Sequence, residues 1–112
     1  LEESCEKYQE LLKMGHTAPD IYMEYTELLF DLDEIEEGMD LLYKGVQLNP
    51  SSADIHFRLA GYLFSMEEWD EGEIYFRQAL GIDPGRRSYF FELFPRFLTN
   101  KRLAQLSSPN KD

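Results

Sequence analysis

The sequence repeats itself without a gap: residues 19–52 overlie residues 53–86. Eight pairs are identical: Asp20/Asp54, Ile21/Ile55, Leu29/Leu63, Phe30/Phe64, Glu34/Glu68, Glu37/Glu71, Gly38/Gly72 and Pro50/Pro84. Most other apolar places exchange one apolar residue for another. A fixed period in this range marks supersecondary units stacked side by side, none of which buries its apolar face alone. Such arrays usually present a surface and seldom enclose a reaction centre.

Within each copy the apolar spacing is helical. Cys5, Tyr8, Leu11 and Leu12 recur every three or four residues, which predicts a helix over 2–13; Gly15 suits the left-handed residue that closes it. Ala18-Pro19-Asp20 opens a second helix with Pro in its first turn. Asp33-Glu34 breaks it, and a third helix over 35–48 stops at Asn49-Pro50. The cycle then returns: Ser51 or Ser52 caps a helix over 53–66, Glu67-Glu68 turns, and a helix over 69–82 ends at Asp83-Pro84-Gly85. Beyond Gly85, residues 88–94 predict a short helix cut by Pro95. Phe97, Leu98, Leu103 and Leu106 predict one more before a polar tail over 107–112. No alternating run bounded by hairpin turns predicts a strand. The expected fold is all-α, one domain over 1–112, with short connections that make sequential helices antiparallel neighbours.

The same residues resemble the tetratricopeptide repeat. Its pattern reads bulky, two residues, Leu, small, two residues, Tyr, then small, three residues, aromatic, and finally Pro. The first copy offers Tyr22, Tyr25-Thr26, Leu29, Gly38, Leu42 and Pro50. The second offers His56, Leu59-Ala60, Leu63, Gly72, Phe76 and Pro84, with Ala79 small three residues after Phe76. Thr26, Ala60, Gly38 and Gly72 would let paired helices approach closely while large residues fill the space beside them. The resemblance implies a right-handed superhelical stack of antiparallel helix pairs, an α-α solenoid with partial or capping elements at both ends. Residues 1–15, with Ser4, Tyr8 and Leu11 in register, become the second helix of a preceding partial repeat. Residues 19–52 and 53–86 are full repeats, and 87–106 form a degenerate repeat or capping segment, in which Phe94 stands where a small residue belongs.

In that family the first helix of each pair lines a concave wall. The resemblance assigns to it Asp20, Met23, Glu27 and Phe30 in the first copy and Asp54, Phe57, Gly61 and Phe64 in the second. Both sets share one helix face. Ser88, Phe91, Pro95 and Leu98 are the degenerate equivalents. Met23–Phe57–Phe91 and Phe30–Phe64–Leu98 then form two rows, rimmed by Asp20, Glu24, Glu27, Asp31 and Asp54, with Arg58 a single cation. Phe30 and Phe64 are expected to be largely buried, whereas Met23 and Phe57 are the better candidates for exposure. Gly61, which costs about 1 kcal/mol relative to Ala in mid-helix, either makes room for a ligand or serves packing beside Ala60. Relatives that grip a terminal carboxylate do so with Lys, Arg and Asn. Of the corresponding Met23, Glu27, Arg58, Ser88 and Glu92 only Arg58 could serve, so that activity is not expected.

Charge narrows the partners. The net charge is −11, with 20 acids against 5 bases over 1–85 and 2 acids against 6 bases over 86–112. Phosphate neutralisation needs the opposite field, so nucleic acid is not an expected partner. The apolar runs are too short to span a membrane. A single cysteine precludes an internal disulfide framework, and no charged-then-apolar leader opens the chain, so a cytoplasmic setting is expected.

Catalytic and metal-binding constellations are sparse. His16 and His56 have no second His or Cys at a ligand spacing. Cys5 reads as a small buried residue on an apolar face. The acidic run 31–37 lacks the arrangement of a calcium loop and reads as a solvated turn. The chain is therefore expected to be a non-catalytic protein-interaction module without cofactor or metal. Its acidic, aromatic groove would take a partner's peptide or helix with apolar anchors and basic flanks. The alternative is homodimerisation through the basic, aromatic C-terminal segment.

Overall fold

The computed structural model describes residues 2–107, with side chains over 5–106. Among the described residues seven α-helices follow one another: α1 (Glu2–Lys13), α2 (Pro19–Asp31), α3 (Ile35–Leu48), α4 (Ala53–Ser65), α5 (Trp69–Ile82), α6 (Arg87–Leu93) and α7 (Lys101–Ser107). Short 3-10 turns cover Pro84–Arg86 and Pro95–Phe97, and no strand occurs among the described residues. The body measures 46 × 26 × 21 Å.

Helices α1, α2 and α4 stop in the same way. The amide of Glu34 donates to the Leu29 carbonyl at 2.8 Å and that of Asp33 to Phe30 at 2.9 Å. At the equivalent places of the second copy, Glu68 donates to Leu63 at 2.8 Å and Glu67 to Phe64 at 3.0 Å. At the end of α1, His16 donates to Leu11 at 3.2 Å and Gly15 to Leu12 at 3.0 Å. This paired closure satisfies carbonyls that a helix end otherwise orphans, and it requires a left-handed residue. Gly15 supplies it at φ +89°, but Asp33 and Glu67 do so at φ +64° without glycine's freedom.

These closures reverse the chain into antiparallel pairs. In α2–α3, Tyr22 meets Gly45 near the open end, and Leu29 and Phe30 meet Gly38 near the turn. In α4–α5, Phe57 packs on Phe76 with ring centroids 5.4 Å apart, and Phe64 covers Gly72. A Cβ at Gly38 would lie 2.5 Å from the Phe30 ring, and one at Gly72 would lie 2.6 Å from the Phe64 ring. The small residues thus let equivalent rings lie across the partner helix in both copies.

α4 is the centre of the molecule because it is apolar on two faces. Ile55, Leu59 and Leu63 join Tyr22, Met23, Leu42 and Val46 of α2 and α3 in one core cluster. Ala53, Phe57, Ala60 and Phe64 join Phe76, Ala79, Phe90, Phe97 and Leu103 in a second. Ser52 caps α4, its Oγ accepting from the Ile55 amide at 3.4 Å. Asn49 donates to the carbonyls of Gly45 at 2.9 Å and Thr17 at 2.7 Å, tying the end of α3 to the loop before α2.

The C-terminal segment lies over the α4–α5 edge of its own chain. Pro95 lacks an amide, so α6 ends at Leu93 and the chain turns. Phe90, Phe97 and Leu103 are buried against α4 and α5. Arg86 grips both carboxylate oxygens of Asp54 at 2.8 and 2.9 Å, and Arg102 reaches Glu73 at 2.7 Å and Asp70 at 3.0 Å. The opposed charges of body and tail therefore meet within the chain. Exposed pairs of this kind are weakened by solvent screening, so the apolar contacts hold the segment. The expected polar tail lies, beyond Ser107, outside the described residues.

Candidate functional site across α2, α4 and α6

Two rows of side chains cross three neighbouring helices. The first is aromatic. Phe30 of α2 meets Tyr62 of α4 edge-on at 4.6 Å, and Tyr62 meets Phe94, the residue that closes α6, edge-on at 5.4 Å. All three rings are half-buried. Edge-to-face pairs of this kind are worth about 0.5–1.5 kcal/mol beyond their buried area.

The second row is polar. The Arg58 guanidinium lies 3.9 Å from the Glu27 carboxylate and donates to the Tyr89 hydroxyl at 3.1 Å. Its side chain is only 12% exposed, and Nε is buried without a hydrogen-bond partner among the described residues. Burial draws the Arg58 pKa down, but the Tyr89 hydrogen bond and its interactions with Tyr89, Tyr62 and Glu27 more than reverse this, so it stays cationic. Burial raises the Tyr62 pKa, and the neighbouring Arg58 only partly offsets it, leaving a neutral phenol. Arg86 lies over the outer face of Tyr89, 4.5 Å from the ring centroid. The site is thus one desolvated cation framed by aromatic rings, and α2 adds the exposed carboxylates Asp20, Glu27 and Asp31.

The residues singled out in the sequence divide between this site and the core. Glu27, Phe30, Arg58 and Gly61 come together here. Met23 and Phe57, the expected exposed pair, are instead 6% and 0% exposed and belong to the two core clusters. Each faces its partner helix and the next pair at once, which leaves no side for solvent. Phe64 is buried at 1%, while Phe30, its repeat equivalent, stays half-buried beside Tyr62. Glu24 accepts from the Tyr8 hydroxyl at 3.0 Å and faces α1. Asp54 is occupied by Arg86, and Phe91 packs edge-on against Phe90 at 5.1 Å. Gly61 is covered by Phe94.

Tyr62 and Tyr89 belong to the site although the repeat pattern does not assign them to the wall, and they are joined by Phe94, which stands where that pattern has a small residue. Both rows, Phe30–Tyr62–Phe94 and Glu27–Arg58–Tyr89, join residues slightly closer in sequence than one repeat. Residues equivalent by the repeat period are thus not the ones that meet in these two rows. The recurrence of aromatics at an interval just short of that period was the available signal.

Other reactive groups do not converge. His56 is buried and its Nδ1 donates to the Ser52 carbonyl at 2.7 Å, whereas His16 is exposed in a loop. Cys5 is half-buried rather than enclosed. Among the described residues no three His, Cys, Asp or Glu side chains gather as metal ligands, and no helix is long and apolar enough to cross a membrane. Compared with known proteins, the chain matches no family model, no curated protein and no solved structure.

Proposed function

We propose that this chain is a non-catalytic protein-interaction module, a superhelical stack of the tetratricopeptide kind that holds a peptide or helix of another protein across α2, α4 and α6. The observation that carries the proposal is the half-buried Phe30–Tyr62–Phe94 ladder together with the exposed carboxylates of α2. Aromatic rings already seated on their neighbours lose little entropy on binding, and acidic rims favour a partner with apolar anchors and basic flanks. The antiparallel pairs and the repeated helix closures support the family assignment. Phe94 on Gly61 and Tyr89 on Arg58 occupy much of the second copy's wall, so the accessible stretch lies toward α2. A cytoplasmic setting belongs to the same proposal.

The test compares quantitative partner recovery by the wild type, Glu27→Lys and Tyr62→Ala. The same partners should be lost from both variants, and undiminished recovery by both would contradict the proposal. Self-association through the C-terminal segment is the weaker reading, because Phe90, Phe97 and Leu103 already pack on their own chain. Light scattering of a chain truncated after Gly85 distinguishes the two: exposure of Phe57, Phe64 and Phe76 should make it aggregate, whereas an exchanged dimer would become a soluble monomer.

A further inference from the structure

A second opening lies on a different face of α2. At helical spacing, Tyr25 and Leu29 point away from Glu27. They floor a trough whose walls are α1 and α3. Its larger part, about 710 Å³, is lined by residues that include Gln9, Glu10, Leu12, Tyr25, Glu37 and Leu41. A smaller part of about 250 Å³ shares Tyr25, Glu37 and Leu41 and continues to Leu29 and Asp40. Four carboxylates (Glu6, Glu10, Glu37, Asp40) face two ammonium groups (Lys13, Lys44) around this apolar floor.

The chain itself shows what fills such a space. One repeat further on, Tyr43 of α3 packs edge-on against Tyr75 of α5 with centroids 6.0 Å apart, and its hydroxyl donates to Glu71. Shifted back by one repeat, Tyr43, Tyr75 and Glu71 become Gln9, Leu41 and Glu37. Both rings are missing at the α1–α3 junction and the carboxylate is retained. The trough is open because the side chains that close its counterpart are absent.

We propose that this trough is a docking site for an amphipathic segment of a partner protein, one that inserts a tyrosine ring where Tyr43 would stand and flanks it with basic residues. The ring lies against Leu41 and the edge of Tyr25, whose face Tyr8 already covers with centroids 5.5 Å apart; its hydroxyl donates to Glu37, and the basic flanks meet Glu6, Glu10 and Asp40. Acidic rims around an apolar floor select this partner over a neutral or acidic one. The site is separate from the α2–α4–α6 rows and does not depend on them.

The probe is a synthetic helix of Leu, Ala and Lys with one central Tyr, titrated into the isotope-labelled protein and followed by amide NMR shifts. Saturable shifts should map to Gln9, Tyr25, Glu37 and Leu41. The double variant Gln9→Tyr/Leu41→Tyr plugs the trough with the chain's own rings and should weaken binding at least about tenfold, as should Glu37→Lys. Glu67→Lys, the same charge change in an exposed turn outside both sites, should leave it unchanged. The proposal is overturned by absent or unsaturable shifts, by shifts confined to Glu27 and Tyr62, or by equal affinity for a probe with Ala in place of Tyr. It is likewise overturned if the shifts reflect association of two protein copies in sedimentation.

Discussion

Phe94 lies so close to Gly61 that a Cβ at position 61 would sit 2.1 Å from its ring. The ring has little room to retreat, since Tyr62, Phe90 and Phe97 surround it with centroids 5.4, 5.2 and 6.2 Å away. The glycine in α4 is therefore a seat for the C-terminal segment of the same chain.

Gly61→Ala tests this seat. Ala is the better helix former by about 1 kcal/mol, so a surface glycine would gain from the change. Here overpacking against Phe94 costs about 1–3 kcal/mol, and a net loss of about 1 kcal/mol is expected in urea unfolding. In Phe94→Ala the obstacle is gone, and the same Gly61→Ala change should become stabilising. Additivity in this double-mutant cycle would exclude the contact.

Asp33 and Glu67 hold left-handed conformations at φ +64°, in which a side chain is strained. Glu67→Gly relieves that strain at an exposed position. It should raise stability by about 0.5–1 kcal/mol even after glycine's entropic cost, read as a higher Tm. Glu67→Val should lower it.

Tyr43 donates to Glu71, and burial, that hydrogen bond and nearby carboxylates raise its pKa well above the ordinary phenol value. The folded chain thus holds the proton more tightly than the unfolded chain. The resulting stability is present below the ordinary tyrosine pKa and fades as pH rises toward the native value. Tyr43→Phe should cost about 1–2 kcal/mol at neutral pH and flatten the alkaline limb of a pH–stability curve.

Glu73 shows the opposite sign. Hydrogen bonds from Arg102 and Arg77 hold its carboxyl below the usual range. As pH falls, the unfolded chain takes up the proton first, so the contribution is full above the ordinary carboxylate pKa and lost on descent through the native one. Glu73→Gln should lower stability at neutral pH and reduce its loss on acidification. Arg102→Met should shift the acid limb in the same direction, and an unchanged limb in both would remove the ion pair from the account.

The repeat period and the spacing of apolar side chains were enough to specify the first six helical segments, their breaks and the pairing of α2 with α3 and α4 with α5, whereas the last helix begins at Lys101 and leaves Phe97 and Leu98 in the turn before it. Those properties are local: side-chain spacing sets which face of a helix is apolar, and Pro, Gly and short polar turns set where it stops. The sequence also determined that Gly38 and Gly72 serve the close approach of paired helices. Which residues meet across different pairs was decided only by tertiary packing. Contacts such as Glu27–Arg58–Tyr89, Phe30–Tyr62–Phe94 and Phe57–Phe90 join residues offset by one to three positions from the repeat period. That offset depends on side-chain volumes from several helices at once. It encloses Met23 and Phe57, leaves Tyr62 half-buried, and no periodicity within one helix encodes it.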